Sequence, residues 1–579
     1  MKYFHDSDKF EFLLNESFNS TFVRSPQSST RDEQHLTVKS AYKYSGKIKL
    51  GVLGSSTILS DNRSLEINQA SVSFATLFSE IELTRNIIVS PFGGYSYNNQ
   101  IGENDYGFVY GLEGLVDNYL VSDFRLNSAI RFRNEDIMPR RNLARYFQFS
   151  AANFFDNNVT NTINVLYTQN RRDFYFLTDS LTQSKFGIKN NIQSRTETMY
   201  ALQDRLMYDK IFDVFSLLFT GRISMRTIDR DTRYKNTDLT SPSLFDTKIE
   251  ELKLDLETIT KYSSTLFDAQ LRFTFSERDE KNITKPFSGV DESFFEQRAE
   301  IESQKNNNSG RLSLTFFGDL KLSDKEKITL SFYQSKLKYD TPSELNIDDR
   351  DEILSIARLR YSKFLNPYFE TFISAEGTYS HIVYISAGRS SNNNVNRIIR
   401  LRAGGDYTGR IISSYNSFEV SANYTVYDFE DLTTNFQSFS FRQMSAVDST
   451  TIRLNDRISL FTIGSIKLSE QGDFKWSTFT SRPTRFLQEI YIEPRVILYL
   501  DQSYLSAGIR YFTLNTFNFD KLNRIPDAKY ASFGPIAIIG INLWKRLDFY
   551  LNGYYEFIRS GENPVREQAN LIMQMNWKF

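Results

Sequence analysis

The sequence predicts an all-β chain, folded as a single closed antiparallel up-and-down transmembrane β-barrel of about 26 strands, with roughly 24 to 28 as the range. Three observations carry that prediction. Apolar residues recur at every second position along most of the 579 residues, which is the period of a strand with one greasy and one wet face. The connections between these segments alternate between tight turns and long polar stretches. The second face of so many segments is charged that it must be solvated.

The alternation is explicit in several segments. Phe267, Ala269, Leu271, Phe273 and Phe275 interleave with Asp268, Gln270, Arg272, Thr274 and Ser276. Phe215, Leu217, Phe219, Gly221, Ile223 and Met225 share a face, opposite Ser216, Thr220, Arg222, Ser224 and Arg226. Ile490, Ile492, Val496 and Leu498 oppose Glu489, Glu493 and Arg495. From the N-terminus, strands are expected around Asn15, Val38, Lys49, Ser71, Val89, Tyr110, Ser128, Phe149, Gln169, Tyr200, Leu218, Leu254, Leu271, Thr315, Ser331, Ala357, Ser374, Leu401, Ser421, Arg457, Ser477, Ile492, Ile509, Ala537, Leu551 and Met573. Tight turns are expected at Asp117-Asn118, Ser323 to Lys327, Leu365 to Pro367, Asp501-Gln502 and Lys545-Arg546. Long connections are expected at Asp229 to Asp246, Glu277 to Asn307, Asp340 to Arg350, Ser386 to Asn396, Asp428 to Ser449, Asn518 to Ala528 and Ser560 to Glu567. Pro91 and Pro494 cannot donate to a ladder, so bulges or strand ends are expected there. Many segments exceed the roughly 9–11 residues that span a bilayer, so the walls should project beyond the membrane.

Composition narrows the function classes. The net charge of -1 gives no argument for nucleic acid. Aromatics make up 15% of the chain, with 50 Phe and 33 Tyr, residue types suited to strands and to membrane interfaces. The mean hydropathy of -0.43 is that of a water-soluble chain, but a barrel shows only alternate residues to lipid. No run approaches the roughly 18 apolar residues of a membrane helix. There is no cysteine, so disulfides, thiolate metal sites and covalent haem attachment are excluded. No linker or change of texture divides residues 1–579, so one barrel domain is expected. The start, Met1 to Asp6, has no apolar export segment, so an export signal is expected to lie outside this numbering.

No catalytic constellation stands out. His5, His35 and His381 share no metal-ligand spacing, and Ala403-Gly404-Gly405-Asp406 lies in an alternating strand rather than a phosphate loop. No catalytic residue, metal or cofactor is expected. The remaining chemical signal is charge on the wet faces: Arg131 and Arg133; Arg222 and Arg226; Asp268 and Arg272; Glu493 and Arg495. These are the expected lumen lining, as paired charges of a polar wall or as an electrostatic lining that orients a guest.

The last strand carries a family resemblance. Leu571, Met573, Met575, Trp577 and Phe579 are apolar at every second position, between Gln574, Asn576 and Lys578. An aromatic terminus on such a strand resembles the C-terminal signature of bacterial outer-membrane β-barrels, which the barrel-assembly machinery reads. The resemblance implies an outer-membrane location and lipid contact. TonB-dependent transporters are similar in texture but have about 22 strands around a plug, whereas here the alternation begins near Lys9. The expected function is a large channel or a secretion and translocation conduit, acting with a protein partner that fills or gates the lumen. The alternatives are a porin-like sheath around a separate multihaem cytochrome, and a structural or adhesive surface barrel.

Overall fold

A computed structural model describes residues 2–578 except 25–28, 62–67, 157, 236–245, 287–290, 431–436, 522 and 544–546. In chain order the strands are β1 (Lys2–Asp6), β2 (Phe10–Arg24), β3 (Ser29–Ser45), β4 (Ile48–Asp61), β5 (Asn68–Thr84), β6 (Ile87–Gln100), β7 (Glu103–Val121), β8 (Phe124–Ile137), β9 (Arg140–Asp156), β10 (Val159–Leu177), β11 (Asn190–Ile211), β12 (Phe215–Tyr234), β13 (Thr247–Ser263) and β14 (Phe267–Thr284). They continue as β15 (Asn307–Ser323), β16 (Glu326–Asp340), β17 (Arg350–Asn366), β18 (Phe369–Tyr384), β19 (Asn394–Thr408), β20 (Ile412–Tyr427), β21 (Phe439–Arg453), β22 (Ile458–Lys475), β23 (Thr480–Leu500), β24 (Ser503–Asp520), β25 (Asn523–Leu543), β26 (Leu547–Ser560) and β27 (Arg566–Lys578). Helices α1 (Ser180–Phe186) and α2 (Glu292–Ser303) sit in two of the long connections.

All strands belong to one sheet, and from β2 to β27 each pairs antiparallel with the next. The ring closes where β2 meets β27, from Phe18 opposite Met573 to Arg24 opposite Glu567. The 26 long strands β2–β27 thus form a closed up-and-down barrel, as the alternation predicts. The short β1 is an addition. It pairs antiparallel with β2, Lys2 opposite Asn15, and parallel with β27, Lys2 opposite Asn576. The seam is therefore forked: direct β2–β27 pairing in one half, β1 wedged between them in the other.

The alternation sorts residues onto two faces. One register row on the apolar face runs Leu330, Leu359, Ala375, Leu401, Val420, Met444, Leu468 across β16–β22. Leu330, Leu359, Leu401, Val420 and Met444 of this row are exposed, Leu401 at 55%. Apolar surface open on this scale requires lipid rather than water around it. One step along, the polar row carries Arg358, Glu376 and Arg400.

Several expectations are corrected. Arg457 lies in the turn between β21 and β22, and Ser477 in the turn between β22 and β23, rather than at strand centres. The expected loop Asp428 to Ser449 is too long, because β21 already begins at Phe439; Ser440, Arg442, Gln443 and Ser445 mask its alternation. The expected loop Asn518 to Ala528 is a tight turn between Asp520 and Asn523, since Phe517 pairs with Pro526 and Phe519 with Arg524. Asp117-Asn118 is not a turn but an irregularity within β7, where the register shifts and Asn118 takes φ 49. The turn follows at Ser122-Asp123. β12 and β14 run past Asp229 and Glu277, because extended walls beyond a membrane can be polar on both faces. Neither proline makes a bulge. The ladder lapses beside Pro91 on its β5 side and beside Pro494 on its β24 side, with the same register resuming beyond; a missing N–H removes a bond without adding a residue. Lys545-Arg546 lies outside the described residues.

Neighbouring backbones approach closely at β5–β8. A Cβ on Gly94 would stand 1.9 Å from the Ala75 carbonyl oxygen, and one on Gly107 1.8 Å from that of Asp136. Only glycine permits so close an approach of neighbouring backbones.

Candidate functional site

A cavity of about 1020 Å³ lies against β3–β10, lined by Lys39, Phe74, Phe78, Glu80, Phe92, Glu113, Arg131, Arg133, Glu135, Arg140 and Asp173 among others. Most of its charges are paired. Arg131 Nε lies 2.7 Å from Glu113, its cross-strand partner. Arg133 reaches Glu135 at 2.6 Å and lays its guanidinium 4.5 Å from the centre of the Phe74 ring. Lys39 and Lys49 share Glu11 and Glu80 in a four-charge square, at 2.9 to 3.9 Å.

Above the cavity, at the long-connection end, the wall folds inward. Pairing between β9 and β10 stops at Leu143–Arg171, but β10 and β11 stay paired up to Leu177–Asn190. The freed ends of β10–β12 lean over β6–β9 and are latched there. Arg140, 2% exposed, donates from Nε to Asp105 at 2.5 Å, from Nη1 to Gln100 at 2.9 Å and from Nη2 to Asn98 at 3.0 Å. It stacks on Tyr175 of β10, 4.6 Å from the ring centre. The Tyr175 hydroxyl donates to the other Asp105 oxygen at 3.1 Å. Asn190 and Lys235 bond Glu103, and Arg233 donates to the Pro139 carbonyl at 2.5 Å. Val109, Ile137 and Ile192 are fully buried beneath. Sequence reasoning missed this latch. Its members lie up to 132 residues apart, and no local spacing marks them.

The other expected lining residues lie farther round the polar face, not at this cavity. Arg226 binds Glu251 at 3.1 Å and Glu197 at 3.5 Å. Arg222 stands opposite Asp255 in register. Asp268 pairs with Lys321 at 3.2 Å, and Arg272 with Glu257. Glu493 sits between Arg495 and Arg510, both at 3.1 Å. A ladder that sequence reasoning missed, Arg358–Glu376–Arg400–Glu419–Arg402, crosses β17–β20. Individual charges are visible in a sequence; which acid faces which base depends on register.

The mouth carries its own titratable cluster. Lys285, just beyond β14, bonds Asp231 at 2.7 Å and Asp229 at 3.1 Å. Burial opposes its charge, but the two carboxylates outweigh that and hold it above the usual lysine value. Burial pushes the Asp246 carboxyl up, aided by the Asp231 charge. The Thr232 amide, donating to it at 2.6 Å, opposes the rise.

The histidines do not converge: His5 is in β1, His35 bonds Thr57 at 2.6 Å, and His381 bonds Asp428 at 3.1 Å. Among the described residues no group of three His, Asp or Glu side chains is arranged to hold a metal. Of the terminal strand, Leu571 and Met573 are exposed; Phe579 and the side chains of Met575 and Trp577 lie outside what is described.

A closed wall of an even number of long strands, apolar on one face and ion-paired on the face that holds the cavity, decides the class. The chain is a large closed transmembrane β-barrel. No protein-family model and no curated protein matches the barrel. Solved structures similar to it include the ferric citrate transporter FecA in the unliganded form, at 9% identity over 99% of this chain and 79% of that one, with a TM-score of 0.39. The FrpB iron transporter from Neisseria meningitidis (F5-1 variant) has 9% identity over 85% and 83%, with a TM-score of 0.42. The copper transporter OprC has 9% identity over 97% and 80%, with a TM-score of 0.41. Nothing about the cargo of this barrel follows from them.

Proposed function

We propose that the barrel is a transport conduit of the outer membrane, whose polar face lines a wide aqueous lumen that a partner protein fills or gates. The width of the wall carries this reading. Twenty-six strands about 4.8 Å apart and tilted about 40° enclose a circle about 50 Å across between backbones. Wall side chains cannot fill that space. Ion pairs such as Arg226–Glu251 and Arg358–Glu376 leave a wetted, nearly neutral surface suited to a hydrophilic guest. The overhang of β10–β12 covers one sector of the mouth.

Planar-bilayer recording of the purified chain tests the proposal. A stable, very large conductance is expected, reduced when the co-purifying partner is added back. A small or silent pore means that the chain seals itself, and the partner reading fails. The terminal strand is proposed to be read by the barrel-assembly machinery. Deletion of Phe579 is expected to lower outer-membrane levels without lowering synthesis, and unchanged levels would count against it.

A further inference from the structure

Many arginines on the polar face are matched to acids, Arg226, Arg272, Arg358, Arg400 and Arg495 among them. On the apolar face of β19, β21 and β25 they are not. Arg397, Arg442 and Arg524 enter no ion pair among the described residues and lie on aromatic rings instead. The Arg397 guanidinium is 4.0 Å from the centre of the Trp476 ring and 5.8 Å from that of Tyr379. Arg442 is 5.9 Å from Tyr424. Arg524 is 3.6 Å from Phe486 and 5.6 Å from Phe519.

The rings around Arg397 and Arg442 form a rooted platform. Tyr424 and Phe474 lie 4.7 Å apart, Tyr424 and Phe479 5.5 Å, and Trp476 and Phe479 6.0 Å. Phe474 is buried at 2%, whereas Trp476 and Phe479 are open at 41% and 58%. Nη1 of Arg397 and Nε of Arg442 are buried without a hydrogen-bond acceptor, a costly state for a charged donor. Acids nearby are few. Glu470 faces Arg442 across the ladder, and Asp428 is engaged by His381.

The position identifies the ligand class. On β19, Ile399 and Leu401 of the lipid-facing band lie on the turn side of Arg397, and on β21 Met444 lies likewise beside Arg442. The platform therefore stands just beyond the apolar band at the long-connection end. This rests on the outer-membrane reading above: with short turns on the periplasmic side and long connections outside, that end is the outer leaflet. There a guanidinium meets anionic phosphates, and an exposed indole meets the C–H faces of sugars. We infer that the rim of β18–β22 binds the phosphorylated saccharide headgroup of an outer-leaflet glycolipid, with Arg397 and Arg442 on phosphate and Trp476 and Phe479 under the sugar.

The test is retention of a purified bis-phosphorylated disaccharide glycolipid by the detergent-solubilised barrel, read by native mass spectrometry. The arms are the dephosphorylated glycolipid and competition by inorganic phosphate. Wild-type protein is expected to hold the phosphorylated form. The double variant R397Q/R442Q, and separately W476A, should weaken retention about ten-fold or more while keeping the heat-resistant mobility of a folded barrel. Equal retention by both folded variants, or equal retention of the dephosphorylated lipid, would overturn the site. Displacement by inorganic phosphate at equimolar concentration would mark a simple anion site and overturn the headgroup assignment. If the double variant does not fold, W476A decides alone.

Discussion

At the level of single residues, the chain separates charges that were legible from partners that were not. Strand parity places Arg222, Arg226 and Arg272 on a wet face, but nothing local announces that Arg140 will meet Asp105, Gln100 and Tyr175. Those contacts exist because β10 parts from β9 beyond Arg171 and its end reaches distant strands. Arg140→Ala would leave Asp105 buried without its partner, at a cost of about 3–5 kcal/mol. The overhang should then loosen, seen as lost hydrogen-exchange protection at Tyr175 and Ile192 and as raised single-channel conductance. Unchanged values for both would show that the latch holds nothing. Asp246 has the opposite sign. Its folded value is raised, so its contribution is favourable below the ordinary carboxylate range and is lost as pH rises through the folded value. Asp246→Asn retains an acceptor for the Thr232 amide and removes the charge. It should raise the melting temperature slightly at pH 7 and not at pH 3; a loss of stability at pH 7 would refute this.

Elements were predicted well wherever their lipid-facing residues are large, and poorly where they are small or polar. β14 and β17 are read from Leu271, Phe273 and Leu359. β21 is not, since its apolar face offers chiefly Met444 and Ala446. The forked seam was also beyond sequence reasoning, because β1 has only five residues and takes its place by filling an edge. That edge makes a sharp prediction in a chain free of native thiols. Tyr3→Cys and Leu14→Cys, opposite each other in the ladder, should form a disulfide. If residues 2–9 are removed, β27 can continue along β2 in the register of Phe18 and Met573, which sets Trp577 opposite Leu14. A Leu14→Cys/Trp577→Cys bridge should then form in the shortened chain only. Its formation at full length would show that β1 is not seated.

For the whole molecule, the barrel class and strand number followed from periodicity and from the rhythm of the connections, both of which span the entire chain. In the orientation proposed for the barrel, the end with the short turns faces the periplasm. Impermeant thiol label on intact cells should reach Glu562→Cys and not Gln502→Cys; the reverse pattern would invert the barrel. The fork at β1 also has a consequence of arithmetic. A ring of strands that alternate up and down can close only on an even number. Where β1 is wedged in, a circle round the wall crosses 27 strands, so one joint must join neighbours that run the same way, and β1–β27 is that joint. Its bonds are slanted and fewer, in the pairing that is slightly weaker per residue. Oddness at one rim thus builds in a fault line: pulled or pried, the cylinder should split first between Lys2–Phe4 and Asn576–Lys578, and the amides there should exchange before those of any other rung.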